Sequence, residues 1–440
     1  MNISETKGYK MLPLERRGFL GLVGLGGATL VLASCAAEAA DPVAGASMGV
    51  TAEPKTLTGT VTYWNQFTSD AEREGFESVT DGFAAAYPGI SLEVEALPQA
   101  DLMTKFTTGA QSGNLPDTVM VTVANLGDMV AMNGLVDLTE PIAAWPGSKD
   151  VDPKILSAFV QDGKNWGIPC LLFVDWMYYR ADWLEEAGIS EPPRTWDEFR
   201  SVAKAITDPA KGRHGFGMRG GSGGGFLCMN MLRGFNGSFV DADGNPTLDE
   251  KAVVTALYEY TAPYLEDKSV PLSAPADGYG QIMQSFQTGL TGMMFHHTGS
   301  LNSITDALKS GEVMTAPLPK AVHELGFIQP LGNGMSSPDN YDSSLAWLEY
   351  WGAGEAQADF LESTGYFPAS KAAQTDPRIT GNRMFDGAIE AMNIGVVPEI
   401  WQGSSAWKDT LLTQVQSIMI GTSTVDEAAE IVFDDFYSKF

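Results

Sequence analysis

The side chains of this chain best suited to chemistry are aromatic, cationic and hydrogen-bonding rather than nucleophilic. Trp401 and Trp407 flank the serine-rich turn Gly403-Ser404-Ser405. Arg219 stands just before Gly220-Gly221-Ser222-Gly223-Gly224-Gly225, and His296-His297 close the apolar run Met293-Met294-Phe295. Aromatic faces combined with planar hydrogen-bonding groups suit a ligand with flat C–H faces and a rim of hydroxyls, which is the chemistry of a sugar. The competing reading of any one tryptophan is ordinary packing, and ten tryptophans leave several for that purpose. The glycine run reads either as a close backbone approach to ligand or as a plain flexible loop.

Other chemistries find no pattern. The glycine run lacks the following Gly-Lys-Ser/Thr of a phosphate loop, and no Gly-x-Gly-x-x-Gly sits on a strand-to-helix turn. Adjacent imidazoles on a strand are expected on opposite faces, so His296 and His297 are not expected to share a metal. Asp241-Ala242-Asp243-Gly244-Asn245 mimics the start of a calcium loop, but its glycine is misplaced and Ala252 occupies the position of the last ligand; a β-turn is the expectation. No nucleophile elbow, zinc helix, ordered triad or Cys-x-x-Cys occurs. A glycoside hydrolase or lyase is the enzymatic alternative, because carboxylates are abundant, but the chain is read as a non-enzyme without cofactor or metal.

The elements that must position these groups alternate. Thr60–Trp64 reads as a strand. Ser69 or Asp70 can cap a helix with Phe76, Val79 and Phe83 at helical spacing, stopped by Pro88-Gly89. Ile90, Leu92, Val94 and Ala96 alternate as a second strand; a helix carrying Leu102, Phe106 and Ala110 comes next, and Thr118–Val123 is a third strand. Strand–helix–strand repetition predicts parallel pairing with right-handed crossovers. Ligands of such sheets sit beyond the strand carboxyl ends, which makes Asn65, Gln66, Phe67, Thr122 and Asn125 candidates.

The N-terminus speaks of location. Arg16-Arg17-Gly18-Phe19-Leu20 resembles a twin-arginine export signal, and Leu32-Ala33-Ser34-Cys35 resembles a bacterial lipobox. The apolar run between them is shorter than the roughly 20 residues of a membrane span. Cleavage before Cys35 would free that cysteine for lipid attachment, and the small polar residues after it read as a tether; an uncleaved anchor is the competing reading. Loss of residues 1–34 removes four basic and two acidic side chains, which takes the formal charge from −28 to −30. Nucleic acid is thereby a poor partner. Cys170 and Cys228 could form a bridge or remain separate core thiols.

Seven ordered blocks carry a family resemblance over about residues 58–435. Trp64-Asn65-Gln66-Phe67-Thr68, Phe83-Ala84-Ala85-Ala86-Tyr87-Pro88-Gly89-Ile90 and Ser112-Gly113-Asn114-Leu115-Pro116-Asp117 open the set. Gly167-Ile168-Pro169 leads to Met177-Tyr178-Tyr179-Arg180-Ala181-Asp182, which departs from the usual Tyr-Asn-Lys-Asp. Leu184-Glu185-Glu186-Ala187-Gly188 with Pro192-Pro193-Arg194-Thr195-Trp196-Asp197-Glu198-Phe199 comes next, then Phe286 to Met294 and Gly421 to Ala429. Together they resemble the family 1 extracellular solute-binding proteins, the sugar-binding components of ABC importers.

The resemblance implies a two-lobed α/β clamp like a periplasmic binding protein, each lobe a mixed, mostly parallel sheet flanked by helices. Residues 1–34 would be the signal peptide, 35–57 the tether, 58–172 with 325–366 one lobe, and 173–324 with 367–440 the other. Crossings are expected near Leu171–Asp175, Pro319–Gly326 and Tyr366–Ser370. It also places Asp175, Trp176, His297, Gly299 and Gly334 in the ligand set with Arg219, Trp401 and Trp407; for Asp175, a hinge hydrogen bond or helix cap is the alternative. The opposite signs of Asp175 and Arg219 favour a neutral ligand over a phosphate. Expected partners are a carbohydrate, ABC permease subunits and the lipid at Cys35, for a monomer anchored on the extracytoplasmic face of the cell membrane. A surface sensor or adhesin is the non-transport alternative.

Overall fold

The structure is a computed structural model that describes residues 56–440 apart from Ala242, Ser310 and Gln402. The signal, Cys35 and nearly all of the tether lie outside the described residues. Strand β1 (Gly59–Asn65) leads to helix α1 (Asp70–Ala86), whose Ser69 hydroxyl accepts from the Glu72 N–H while the Glu72 carboxylate accepts from the Ser69 N–H. This reciprocal cap satisfies two otherwise orphaned donors. Strand β2 (Ile90–Ala96), helix α2 (Gln99–Ser112) and strand β3 (Thr118–Thr122) come next, and Gly113 closes α2 with φ 74°. Both β2 and β3 pair with β1 in parallel, as the alternation predicts. Alternate side chains cover both faces: Val61, Tyr63 and Met120 enter one core with Trp347 and Phe360, while Trp64, Val119 and Val121 enter another with Phe106.

The remaining sheet turns on one long strand, β4 (Ile168–Arg180), with β5 (His214–Gly217), β6 (Thr291–His297), β7 (Val313–Ala316) and β8 (Ile328–Met335) after it in the chain. Strand order is β2-β1-β3-β8-β4-β6-β5, with β7 and the short Phe367–Pro368 strand also paired to β4. The first half of β4 pairs antiparallel with β8 as far as Val174 opposite Ile328. From Asp175, opposite His297, it pairs with β6. Asp175 therefore stands where the strand changes partners, its N–H donating to the Phe327 carbonyl at 2.9 Å.

Strand parity decides what each residue of β4 faces. Leu172, Val174, Trp176 and Tyr178 enter one core with Phe286, Leu301 and Phe385; Met177 and Tyr179 enter the opposite one with Phe216, Phe295, Trp407 and Phe436. Trp176 is thus fully buried and stands edge-on to Tyr178, on the face opposite Asp175. Its expected place beside Asp175 is corrected by the period of two. Cys170 and Cys228 are free thiols in different cores, and Asp241 closes a turn by accepting from the Asp243 and Asn245 N–H groups. Among the described residues no helix is long and apolar enough to cross a membrane.

Candidate functional site

A cavity of about 240 Å³ opens where β4 changes partners. Phe173 and Asp175 of β4, Phe295, His296 and His297 of β6, and Gln329, Pro330 and Leu331 of β8 form its base. Gln66, Gln99, Thr122, Val123 and Ala124 line one wall; Arg219, Gly223, Phe226, Leu227, Pro398 and Ile400 line the other. The first wall is built at the carboxyl ends of the parallel strands β1, β2 and β3 and from the residues just beyond them.

Polar groups are held in place from behind. The Asp175 carboxylate accepts from Asn230 Nδ2 and Gln329 Nε2, each at 3.5 Å, and burial pushes its pKa up to about 7 against the opposing pull of these donors and Arg219. His296 Nδ1 lies 2.9 Å from Ser300 Oγ, which lies 2.8 Å from Tyr279 Oη. Burial lowers the pKa of both imidazoles, that of His297 to about 3, so both are neutral at pH 7. Among the described residues, His296 Nε2, His297 Nδ1 and Thr122 Oγ1 are buried without a protein partner. Such atoms are candidates for ligand hydroxyls.

Of the residues anticipated from sequence, Gln66, Thr122, Asp175, Arg219 and His297 come together on this cavity. The others are elsewhere, each for a definable reason. Asn65 is fully buried, and its Oδ1 accepts from the Phe67 N–H to shape the turn after β1. Phe67 packs against Phe76, Phe360, Trp351 and Tyr366. Asn125 is half-buried as the third residue of the helix Val123–Ala131, just past Val123 and Ala124, which reach the cavity. Gly299 sits behind it, where a Cβ would come within 3.0 Å of Tyr366 and 3.1 Å of Phe173. Gly334 instead makes room for the Trp166 carbonyl, 2.9 Å from where its Cβ would be.

The tryptophan platform is also corrected. Trp407 is fully buried, its Nε1 donating to the Val432 carbonyl at 3.0 Å. Trp401 packs on Phe239, Trp407, Phe436 and Phe440, and its neighbours Pro398 and Ile400 reach the cavity in its stead. The cavity's aromatic surface is Phe173, Phe226 and Phe295. The two histidines share the cavity despite their adjacency, with ring centroids 4.6 Å apart, because β6 ends at His297 and the chain turns into the short helix Thr298–Ser300. Among the described residues no cluster of His, Cys, Asp and Glu fit to hold a metal occurs.

Sequence reasoning missed Phe173, Phe295, Gln329, Phe226 and Ile400, and set His296 on the face opposite His297. Phe173 was accessible in principle, since it shares the parity of Asp175; Gln329 was not, because its register against β4 is set by a pairing 154 positions away.

With this geometry in view, the profile described as bacterial extracellular solute-binding protein matches residues 67–348, more than half of the chain. A binding protein of Brucella abortus is 24% identical over 303 residues, covering 67% of this chain and 72% of its own. A maltooligosaccharide ABC transporter solute-binding lipoprotein of Streptococcus pneumoniae is 22% identical, covering 94% and 96%. Among solved structures, the GacH receptor of Streptomyces glaucescens, studied unliganded and with acarbose, superposes with a TM-score of 0.77 at 22% identity over 87% of this chain and 98% of that one. Maltose-bound T. maritima MalE3 gives 0.76 at 20% identity, over 87% and 100%. At these identities the structural likeness is one of fold, a two-lobed α/β binding protein.

Proposed function

Because the chain belongs to the bacterial extracellular solute-binding protein family, we propose that it captures a sugar or related small solute between two lobes outside the cytoplasm and delivers it to an ABC permease. The family is one of binding proteins, so the chain is a binder and not an enzyme. The observation that carries the sugar reading is the cavity at the partner change of β4. It combines phenyl faces with unpartnered buried donors and acceptors, and several similar proteins are described by maltose or maltooligosaccharides. Residues 58–172 with 325–366 form one lobe and 173–324 with 367–440 the other, and Gln66, Thr122, Asp175, Arg219 and His297 contact the ligand. Asn65 acts indirectly, by shaping the turn that carries Gln66, and Gly299 by leaving room beside Phe173. The protein works as a monomer, is exported by the twin-arginine route and is held to the membrane through lipid on Cys35.

Ligand contacts from both walls would stabilise a closed state through its differential affinity. Calorimetric titration with a panel of mono- and oligosaccharides, followed in parallel by solution X-ray scattering, tests this. A bound saccharide is expected to reduce the radius of gyration. A tight ligand that leaves the scattering unchanged would argue for a preformed pocket and against the clamp.

A further inference from the structure

The charges lining the cleft do not cancel. Asp175 is its one acid and Arg219 its one cation among the described residues, yet no ion pair joins them. Asp175 is answered by Asn230 and Gln329. Arg219 donates from Nε to the Ser222 carbonyl at 3.0 Å and lies 5.5 Å over the Tyr279 ring, and no carboxylate lies within 4.0 Å of it among the described residues. Burial lowers its pKa against the opposing pull of Tyr279, Tyr260 and Asp175, and among the described residues no carboxylate pairs directly with this half-buried guanidinium in a strongly acidic protein. An uncompensated cation in such a place is costly unless a ligand answers it.

The surroundings build a seat for that answer. Gly223, at φ 75°, has no Cβ; one would fall 1.9 Å from Arg219 Nη2, so the guanidinium lies against the glycine loop only because the residue is glycine. Directly after it, helix α3 (Gly225–Asn236) begins from Gly224 without a side-chain cap, and its first-turn residues Phe226 and Leu227 line the cleft. A helix start left uncapped presents N–H groups and positive dipole to an anion. Independently, His296 lines the same cleft at 4% exposure with Nε2 unpartnered, while Ser300 and Tyr279 secure its other nitrogen. The neighbouring Glu399 carboxylate is engaged by Ser238 Oγ and the Phe239 N–H, and Lys408 lies 4.3 Å over the Phe226 ring without lining the cleft.

We propose that the solute is an acidic sugar, whose carboxylate is received by the Arg219 guanidinium and the uncapped start of α3. The proposal rests on the solute-binding reading and narrows it. A planar carboxylate matches the two-pronged geometry of one guanidinium. A phosphate would bring nearly two charges beside Asp175 with a single cation to meet them.

The test titrates wild-type protein calorimetrically with uronic acids and their short oligomers in gluco, galacto and manno configurations. Each is paired with its neutral counterpart and with the corresponding sugar phosphate. At least one uronate is expected to bind tenfold or more tighter than its neutral counterpart, with that advantage shrinking as salt rises. Arg219→Gln should abolish the advantage, and Arg219→Lys should restore only part of it; thermal unfolding of both variants confirms that they fold. A neutral sugar or sugar phosphate that binds as tightly as any uronate, or an advantage that survives Arg219→Gln, overturns the proposal and leaves the solute-binding reading standing. Failure of every saccharide to bind overturns both.

Discussion

Tryptophan is where residue type misleads most in this chain. A tryptophan on a loop suggests a stacking platform, but Trp401 finds Phe239, Trp407, Phe436 and Phe440 around it, and Trp407 is wholly enclosed. Their contribution is therefore to stability. Trp407→Ala should cost about 3–5 kcal/mol, the range for a truncated buried aromatic, and Trp401→Ala less because it is only half-buried. Affinity in the folded fraction should be unchanged in both. Phe173→Ala should show the reverse, a loss of about 1–3 kcal/mol in binding with a smaller change in unliganded stability. Urea unfolding and calorimetry on the three variants separate these roles, and a Trp401→Ala protein that is fully stable but binds weakly would restore the platform.

At the scale of elements, the helix starts show how local rules hold while tertiary contacts are added to them. Ser69, Thr195 and Thr424 each close a capping box with a glutamate three residues on, at Glu72, Glu198 and Glu427. The Ser/Thr-x-x-Glu spacing is a local signature that can be read without the fold. Glu72 does more than its pattern announces, since its Oε1 also accepts from the Tyr366 hydroxyl, which comes from 294 positions away. Ser69→Ala should lower stability by about 1 kcal/mol, whereas Glu72→Ala should cost more because it also strands a buried phenol. Equal losses in thermal or urea unfolding would show that the Tyr366 contact contributes nothing.

For the whole molecule, the long strand β4 joins the two sets of strands, so the proposed closure would have to bend or twist a strand whose partners change at Asp175. Phe367–Pro368 pairs antiparallel with Leu171–Leu172 on the same strand, which brings two of the expected crossings into one place. Outside this body, the proposed anchor sets where the clamp operates. Cys35→Ala should move the protein from the membrane fraction to the soluble extracytoplasmic fraction, and replacing Arg16 and Arg17 with lysine should block export. Retention of the Cys35→Ala protein on membranes after alkaline washing would defeat the lipid anchor.

The sequence by itself determined the strand–helix alternation of the first segment, its caps and stops, the parallel pairing that results from them, and the family. All of these depend on neighbours within a few turns or on ordered blocks of residues. It also placed Gln66 and Thr122 on the cleft, because the carboxyl ends of parallel strands are locally identifiable. Only the tertiary structure decided which parity of β4 faces the cavity, setting Phe173 and Asp175 toward it and Trp176 away. It alone brought Gln329 and Asn230 to Asp175, turned both His296 and His297 inward at a strand end, and, among the described residues, left no carboxylate within 4.0 Å of Arg219. The physical reason is that periodicity repeats every two or 3.6 residues along the chain, whereas register, the end of a strand and the absence of a counter-ion are fixed by segments far apart in sequence.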